Sequence, residues 1–363
     1  MSKLHIFNPE HDIALAADLS NFTAPHAGRQ LRNDLGFLPA LWAEDGDVVM
    51  VENKEYAERQ WLRLRQRLHV LGLSSKLRCH RPQFEVRKPS VTVNQTSCVD
   101  PWGWDKAIRR EMERLDFPVE NLPSEADIDV VRMLSHRRTS AQLLPDVRLN
   151  GTVGESFECS DFESINKLQG IYQELILKAP WSSSGRGLRF VRGPLGNDAD
   201  SQHLLGWLRN IFQSQGSVMV EPLYNKVKDF GMEFYIDSDG RVQYLGLSLF
   251  HTVNGAYIGN ILATESRKRK MISKYVSLEL LDAIQQRIIS HIKLDGYSGP
   301  FGIDMMIVSS ENGFLVHPCV EINLRRTMGH VALCMQPSDD DVIRVMRIEF
   351  SDHYQLKIRK LAH

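Results

Sequence analysis

Two stretches of this chain hold residue types suited to a polyanion. The first pairs Gly299–Val308 (GPFGIDMMIV) with Phe314–Asn323 (FLVHPCVEIN), two apolar strands joined by Ser309–Gly313. Asn312-Gly313 is the turn signal. A four-residue loop at Glu311–Phe314 sets Asp304 opposite Glu321, and Asn323 shares the Glu321 face by the two-residue strand period. A two-residue loop at Asn312–Gly313 gives the same pairing but leaves Pro318 at a hydrogen-bonded position without a donor, so the longer loop is preferred. A three-residue bulged loop would slip the register and part the two acids. Facing carboxylates repel unless a cation lies between them. Two carboxylates and a carboxamide, with no thiolate or paired imidazole, suit Mg²⁺, with Mn²⁺ as the alternative. Asp304, Glu321 and Asn323 are thus the candidate metal ligands. The competing reading is a solvent-facing acidic side, against which stand the apolar neighbours Ile303, Met305, Val320 and Ile322 and the following Arg325 and Arg326. Arg325 could neutralise a phosphate or a substrate carboxylate. His317 and Cys319 read as wall residues, and His251 has no assignment.

The second stretch is Glu174–Val191 (ELILKAPWSSSGRGLRFV). Leu175, Ile176 and Leu177 make a strand with Lys178 at its end. Ser182, Ser183, Ser184, Gly185 and Gly187 form a loop almost without bulk, and Leu188, Phe190 and Val191 resume a strand. Small residues let backbone N–H groups approach an anion. Lys178 adds a point charge and Arg186 a forked donor set. The alternative is an ordinary hairpin with a Ser/Gly loop. Neither a Walker A loop nor a G-x-G-x-x-G fingerprint is present here.

The elements that must position these residues follow from the rest of the chain. Its 363 residues predict two or three domains with ample core. A hydrophobic content of 42%, a charged content of 25% and a net charge of -1 are ordinary, and give nucleic acid or an anionic membrane no bulk attraction. The cysteines Cys79, Cys98, Cys159, Cys319 and Cys334 are odd in number and widely spaced, which points to a reducing compartment. The N-terminus is not a signal peptide, and no apolar run spans a membrane, so a cytoplasmic location is expected.

Strands are expected at Lys3–Phe7, Asp47–Glu52 and Val91–Asn94, with helices at Ile13–Ala17, Tyr56–Leu73 and Trp102–Leu115. Trp102 and Trp104 read as core or interface anchors rather than a cofactor box. Asn8, Glu10, His11 and Asp12 follow the first strand; they read first as a turn capped by Asp12, and otherwise as substrate contacts. This alternation predicts a Rossmann-like αβ domain over 1–123. Further helices are expected at Asp127–Leu134, Ser135–Leu144, Asp161–Tyr172, Ser201–Phe212 and Ser277–Leu294. His136, Arg137 and Arg138 open the second of these against its own dipole, a cost tolerable beside an anion. Val218–Val220 reads as a strand stopped at Glu221-Pro222, and Phe230–Ile236 pairs with Val242–Phe250. The basic run Arg267–Lys270 is a solvated face or closes over phosphates.

The order of these parts resembles the ATP-grasp superfamily over roughly Ser135 to Gly329. The resemblance implies an α/β fold with α+β elements: the N-terminal domain, a first ATP-grasp subdomain over 124–222, and a second over 223–363 with the metal-binding hairpin and a C-terminal helix. It implies that Arg137 or Arg138, Lys178 and the loop Ser183, Ser184, Gly185, Arg186 and Gly187 hold the phosphates of ATP. Glu221 and the backbone at Leu223 would read adenine, and Asp229 the ribose. Asp304, Glu321 and Asn323 would hold Mg²⁺, and Arg325 would meet the γ-phosphate or an acyl phosphate. The family's usual lysine at the first basic position is arginine here. The activity implied is an ATP-dependent ligase joining a small-molecule or peptide carboxylate to an amine or thiol, with no nucleic-acid or membrane partner. Alternatives are a non-catalytic nucleotide-binding or regulatory protein on the same fold, or an ATP-dependent kinase. A dehydrogenase is disfavoured because no glycine fingerprint follows the first strand.

Overall fold

The structure, a computed structural model, describes residues 2–73, 77, 81–88, 96–182, 187–193, 199–253 and 256–361. Cys79, the strand expected at Val91–Asn94, and Ser183, Ser184, Gly185 and Arg186 lie outside the described residues.

The N-terminal unit runs β1 (Lys3–Ile6), α1 (His11–Ala17), α2 (His26–Leu35), β2 (Val48–Val51), α3 (Lys54–Val70), β3 (Gln83–Val86), β4 (Cys98–Pro101) and α4 (Lys106–Arg114). Its strands form one parallel sheet in the order β3-β2-β1-β4, the Rossmann-like pattern expected. The helix foreseen from Trp102 starts later. Asp105 caps it by accepting the Ile108 N–H at 2.9 Å, and Trp102 turns back edge-on to Phe7 at 5.0 Å.

The chain continues through α5 (Glu125–Leu134), α6 (Arg138–Val147), β5 (Phe157–Cys159), α7 (Phe162–Tyr172), β6 (Leu175–Lys178), β7 (Leu188–Val191), α8 (Ala199–Gln215) and β8 (Val218–Pro222). The strands make a small antiparallel sheet, β5-β8-β6-β7, with its own core around Ile165, Leu175, Leu177, Leu208 and Val220. The helices α5 and α6, grouped with this unit on sequence grounds, instead bury Val131, Leu143, Leu144 and Val147 in the core of the next sheet.

That sheet is built from β9 (Lys226–Ile236), β10 (Val242–Val253), β11 (Ala256–Leu262), then, after α9 (Glu265–Ile272) and α10 (Leu278–His291), from β12 (Gly299–Ser310) and β13 (Gly313–Asn323), and, after α11 (Met328–Cys334), from β14 (Arg344–Phe350) and β15 (Tyr354–Lys360). Its order is β13-β12-β9-β10-β11-β14-β15, antiparallel throughout. The expected C-terminal helix is therefore a hairpin. Its residues alternate in character on either side of the Ser351–His353 turn, a strand period rather than a helical one. Met346 and Ile358 from this hairpin pack into the N-terminal core, which ties the chain's two ends together.

Alternation gives this sheet two unlike faces. Phe230, Met232, Phe234, Leu247, Leu249, Ile303, Met305, Ile307 and Ile322 point back into the core with α6 and α10. The front face presents successive rows across the strands. One row reads Glu321–Asp304–Gly231–Ser248, and the next Asn323–Gly302–Glu233–Gly246. At 231, 246 and 302 glycine allows close approach, because a side chain there would meet the Ile303 carbonyl, Leu333 and Glu233 respectively.

Asp304 does pair with Glu321, but by a route the sequence reading did not choose. The turn is two residues, with Ser310 paired to Gly313. The register then shifts between Asp304 and Met306, where Pro318–Val320 bulge out opposite Met305. Proline has no N–H to give the ladder, so the bulge falls where a hydrogen bond was impossible in any case. Among the described residues no helix is long and apolar enough to cross a membrane, and Cys98, Cys159 and Cys319 are free thiols.

Candidate active site

The front face of the large sheet, the small sheet and the N-terminal unit enclose a cavity of about 560 Å³. Its walls bring together Arg137, Lys178, Ser182, Glu221, Leu223, Asp229, Asp304, Glu321, Asn323 and Arg325. The sequence had placed these on elements scattered over nearly two hundred residues.

Lys178 ends β6, 4% exposed, and donates to Glu221 Oε2 on the neighbouring β8 at 2.5 Å. Ser156 Oγ also approaches Glu221, at 3.3 Å. Leu223 reaches the wall, yet its backbone N–H already donates to the Glu174 carbonyl at 3.0 Å, leaving only its own carbonyl for a ligand. Ile176, Leu188, Phe190, Pro222, Tyr224, Met306 and Val320 make this end an apolar slot. Asp229 lies beside it and accepts from Thr252 Oγ1 at 2.6 Å and Lys226 Nζ at 2.8 Å. Below Lys178, the Ala179 N–H donates to the Gly187 carbonyl at 2.9 Å and closes the loop stem. A side chain at Gly187 would collide with Ser182, so glycine is required there.

Arginines 137 and 138 part company. Arg137, 8% exposed, donates from Nε to the Ala179 carbonyl at 3.1 Å and from Nη2 to Ser182 Oγ at 3.4 Å, and pairs through Nη1 with Glu321 at 2.8 Å. Arg138 turns outward to Glu158 at 2.7 Å and is half exposed. The anions that offset this basic helix start are therefore protein carboxylates. His136 Nδ1 also accepts the Arg138 backbone N–H at 3.0 Å.

Asp304 is the unbalanced group. Asn323 Nδ2 donates to it at 3.2 Å. Burial, with Glu321 and Glu233 close by, pushes its carboxyl up to about 8. Such a group calls for a proton or a cation. Among the described residues no three His, Cys, Asp or Glu side chains close a metal site alone. The set on offer is two carboxylates and a carboxamide, and one of these, Glu321, is held by Arg137. That donor set fits a hard cation that keeps several waters or phosphate oxygens.

Arg325 is anchored. Its Nε and Nη2 grip both oxygens of Asp12 at 2.8 and 2.7 Å, Nη2 also donates to Asn323 Oδ1 at 2.9 Å, and Nη1 donates to the Arg326 carbonyl at 3.1 Å. Burial opposes the charge, but the Asp12 pair outweighs it and holds Arg325 above the usual guanidinium range and Asp12 below the usual carboxylate range. Asp12 is thus no helix cap; the residue in that position is Glu10, with no side-chain cap bond. Asn8 and His11 turn inward to Asp105, and Glu10 pairs with Arg32. The run Arg267–Lys270 stays on α9, where Arg269 pairs with Asp282 at 2.8 Å and none of the four lines the cavity. His317 is fully buried edge-on to Tyr224 at 5.7 Å, and burial depresses its imidazole to about 4; Cys319 is buried in the core with its thiol pushed up, and neither lines the cavity, contrary to the expectation of wall residues.

Sequence reasoning missed Glu233, Ser248, Tyr257, Asn260 and Thr327, all of which line the cavity. Glu233 left a trace, an acid in the middle of the apolar strand FGMEFYI. The others are small or neutral and left none.

No protein-family model matches the chain. Over 211 residues, 55% of its length, the chain is 28% identical to the [butirosin acyl-carrier protein]–L-glutamate ligase of Niallia circulans, and it spans 45% of that protein. Among solved structures it is similar to biotin carboxylase of Campylobacter jejuni in its βγ-ATP complex, with 13% identity, TM-score 0.50, and coverage of 96% of this chain and 75% of that one. It is also similar to N5-carboxyaminoimidazole synthetase of Staphylococcus aureus complexed with ADP, with 14% identity, TM-score 0.48, and coverage of 96% and 82%. Likeness at this identity speaks for the fold alone, which this chain shares with that biotin carboxylase.

Proposed function

We propose that this chain is an ATP- and Mg²⁺-dependent ligase that activates a carboxylate as an acyl phosphate and joins it to an amine or thiol. The observation that carries this reading is the row Glu321–Asp304 on the sheet front, with Arg137 and Lys178 facing it across one cavity. The relative from Niallia circulans is itself named a ligase.

In this reading the apolar slot takes adenine, with the Leu223 carbonyl and Glu221 at its polar edge and Asp229 at the ribose. Arg137, Lys178, Ser182 and the loop through Gly187 hold the phosphates. Asp304, Glu321 and Asn323 hold Mg²⁺, which when bound offsets the charge on the phosphate oxygens. Glu321 shares its charge between that ion and Arg137. Arg325, clamped by Asp12, holds one positive charge in a fixed place with one Nη1–H still free for the activated acid. The protein's work is positioning and charge neutralisation, and no side-chain nucleophile is needed.

The test is to incubate the chain with ATP, Mg²⁺, a panel of amino acids and small acids, and a panel of amines and thiols. ADP release matched by a product of acid plus nucleophile less water is expected. A phosphorylated acceptor without condensation makes the chain a kinase, and nucleotide binding without turnover makes it a binding protein; either result overturns the ligase reading.

A further inference from the structure

The charges lining the cavity do not balance. Among the described residues, each of its four cations meets a carboxylate: Lys178 meets Glu221, Arg137 meets Glu321, Arg325 meets Asp12, and Lys226 meets Asp229. Two lining carboxylates, Asp304 and Glu233, have no such partner. Asp304 belongs to the proposed metal set, which leaves Glu233 without a task.

Glu233 is 3% exposed in the middle of β9. Thr327 Oγ1 donates to its Oε2 at 2.9 Å. His330 Nδ1 stands 3.0 Å from the same oxygen, but that nitrogen accepts the Thr327 backbone N–H at 3.1 Å, while Nε2 faces the Phe234 carbonyl at 3.2 Å and so carries the hydrogen. With Nδ1 taken up by that N–H, the ring in this arrangement gives Glu233 no hydrogen bond. A carboxylate this buried with one hydroxyl donor lacks most of the bonds that offset its desolvation. Its position is fixed by backbone. A Cβ on Gly302 would lie 2.6 Å from Oε2, and one on Gly329 would overlap Oε1.

Glu233 also lies where a second substrate would be needed. It is two residues along β9 from Gly231, the partner of Asp304, a step of about 7 Å. Its own row continues through Gly302 to Asn323, which bonds Arg325. On its other side are neutral groups, the Ser248 hydroxyl and the Asn260 carboxamide, bonded to each other at 2.9 Å. The compartment offers charge and acceptors to a cation and repels an anion.

Resting on the ligase reading above, we propose that Glu233 binds the nucleophile and that the nucleophile is a primary amine arriving as its ammonium. A thiolate in that place would face two carboxylates. In the step, the amine nitrogen bonds to the acyl carbon and the C–O bond to phosphate breaks, its electron pair leaving with phosphate. Of the two protons the nitrogen gives up, one passes to Glu233 and one to the departing phosphate. Glu233 returns its proton to solvent as the amide leaves.

Glu233→Gln keeps the shape and the Thr327 bond and removes the charge. Hydroxylamine is uncharged at neutral pH, so it traps an acyl phosphate as a hydroxamate without an ammonium site. With ATP, Mg²⁺ and the panel of acids, the variant is expected to keep hydroxamate formation within about threefold and to lose amide formation with amino acids or aliphatic amines by at least about a hundredfold. Ser248→Ala is expected to raise the KM for the amine a few-fold with kcat unchanged. Equal amide rates in wild type and Glu233→Gln overturn the amine site alone, as does a wild type that forms a thioester with 2-mercaptoethanol but no amide. Loss of hydroxamate in Glu233→Gln along with amide overturns it too. A wild type that forms no hydroxamate with any acid overturns the ligase reading instead.

Discussion

The two faces of the seven-stranded sheet are made by the same strands and have opposite characters. At the back, Phe230, Met232, Phe234, Ile303, Met305, Ile307 and Ile322 are all 5% exposed or less and pack into one core. At the front, the alternate residues are carboxylates, a carboxamide and glycines. Opposed acids and glycines destabilise a sheet. Burial on the reverse side is what allows them. The lesson is that stability and chemistry are separated here by a single residue step.

Ile303 and Asp304 put that separation to the hardest test, being neighbours in the chain. Asp304→Asn should cut ADP release by at least about 10³-fold with the fold intact, because it removes the charge that offsets the cation. Ile303→Ala should cost about 2–5 kcal/mol of stability and leave turnover per folded molecule nearly unchanged. Denaturant melts and initial rates on both variants decide it. If Ile303→Ala loses activity as deeply as Asp304→Asn, the faces are not independent.

In the small sheet the two roles merge, since Lys178 and Glu221 are both 4% exposed and pair with each other while lining the cavity. Lys178→Met should therefore do two things: weaken nucleotide binding and, by stranding Glu221, cost about 3–5 kcal/mol of stability. Adding Glu221→Gln should restore the stability but not the affinity. A double variant that regains nucleotide affinity in a calorimetric titration would remove the phosphate role from Lys178.

The next contrast is smaller, and is drawn between Arg137 and Arg138. Arg137→Ala should weaken nucleotide binding about 10–100-fold through lost charge-assisted hydrogen bonds, whereas Arg138→Ala, at an exposed pair, should change it by less than about threefold. Comparable losses in the two would show that the outward side chain swings in.

Much of this was legible. The strand period and the Asn-Gly turn signal brought Asp304 opposite Glu321, and a lone lysine before small residues marked the β6 loop. The register itself was right for another reason, because local sequence does not show that Pro318 would rather begin a bulge than lengthen a turn. Contacts across the fold were not legible at all. Asp12 reads as a helix start and Arg325 as a phosphate ligand, and nothing nearby announces that they bind each other. The helix α2, HAGRQLRNDL, carries too few apolar residues to signal itself, and tertiary packing decides it. At the C-terminus, the alternation in RVMRIEF and YQLKIRK was available and points to strands.

The smallest effect tests the electrostatics of the front face without substrates. Asp304 has its carboxyl raised from 3.8 to about 8 by burial and by its two acidic neighbours. Between those values the folded chain keeps a proton that the unfolded chain has released. Stability must then fall as pH rises through this window and level off above about 8. Groups other than Asp304 titrate too, but they are shared with Asp304→Asn and cancel in the difference. Without divalent ions, wild type should lose Tm steadily relative to Asp304→Asn as pH rises from 5 to 8. Mg²⁺ with an adenine nucleotide should erase the difference, since a cation replaces the proton and binding stabilises only the folded wild type. Parallel Tm curves for the two proteins across that range would mean that Asp304 is ionised in the folded chain without a cation, and that the front face holds its acids apart by some other means.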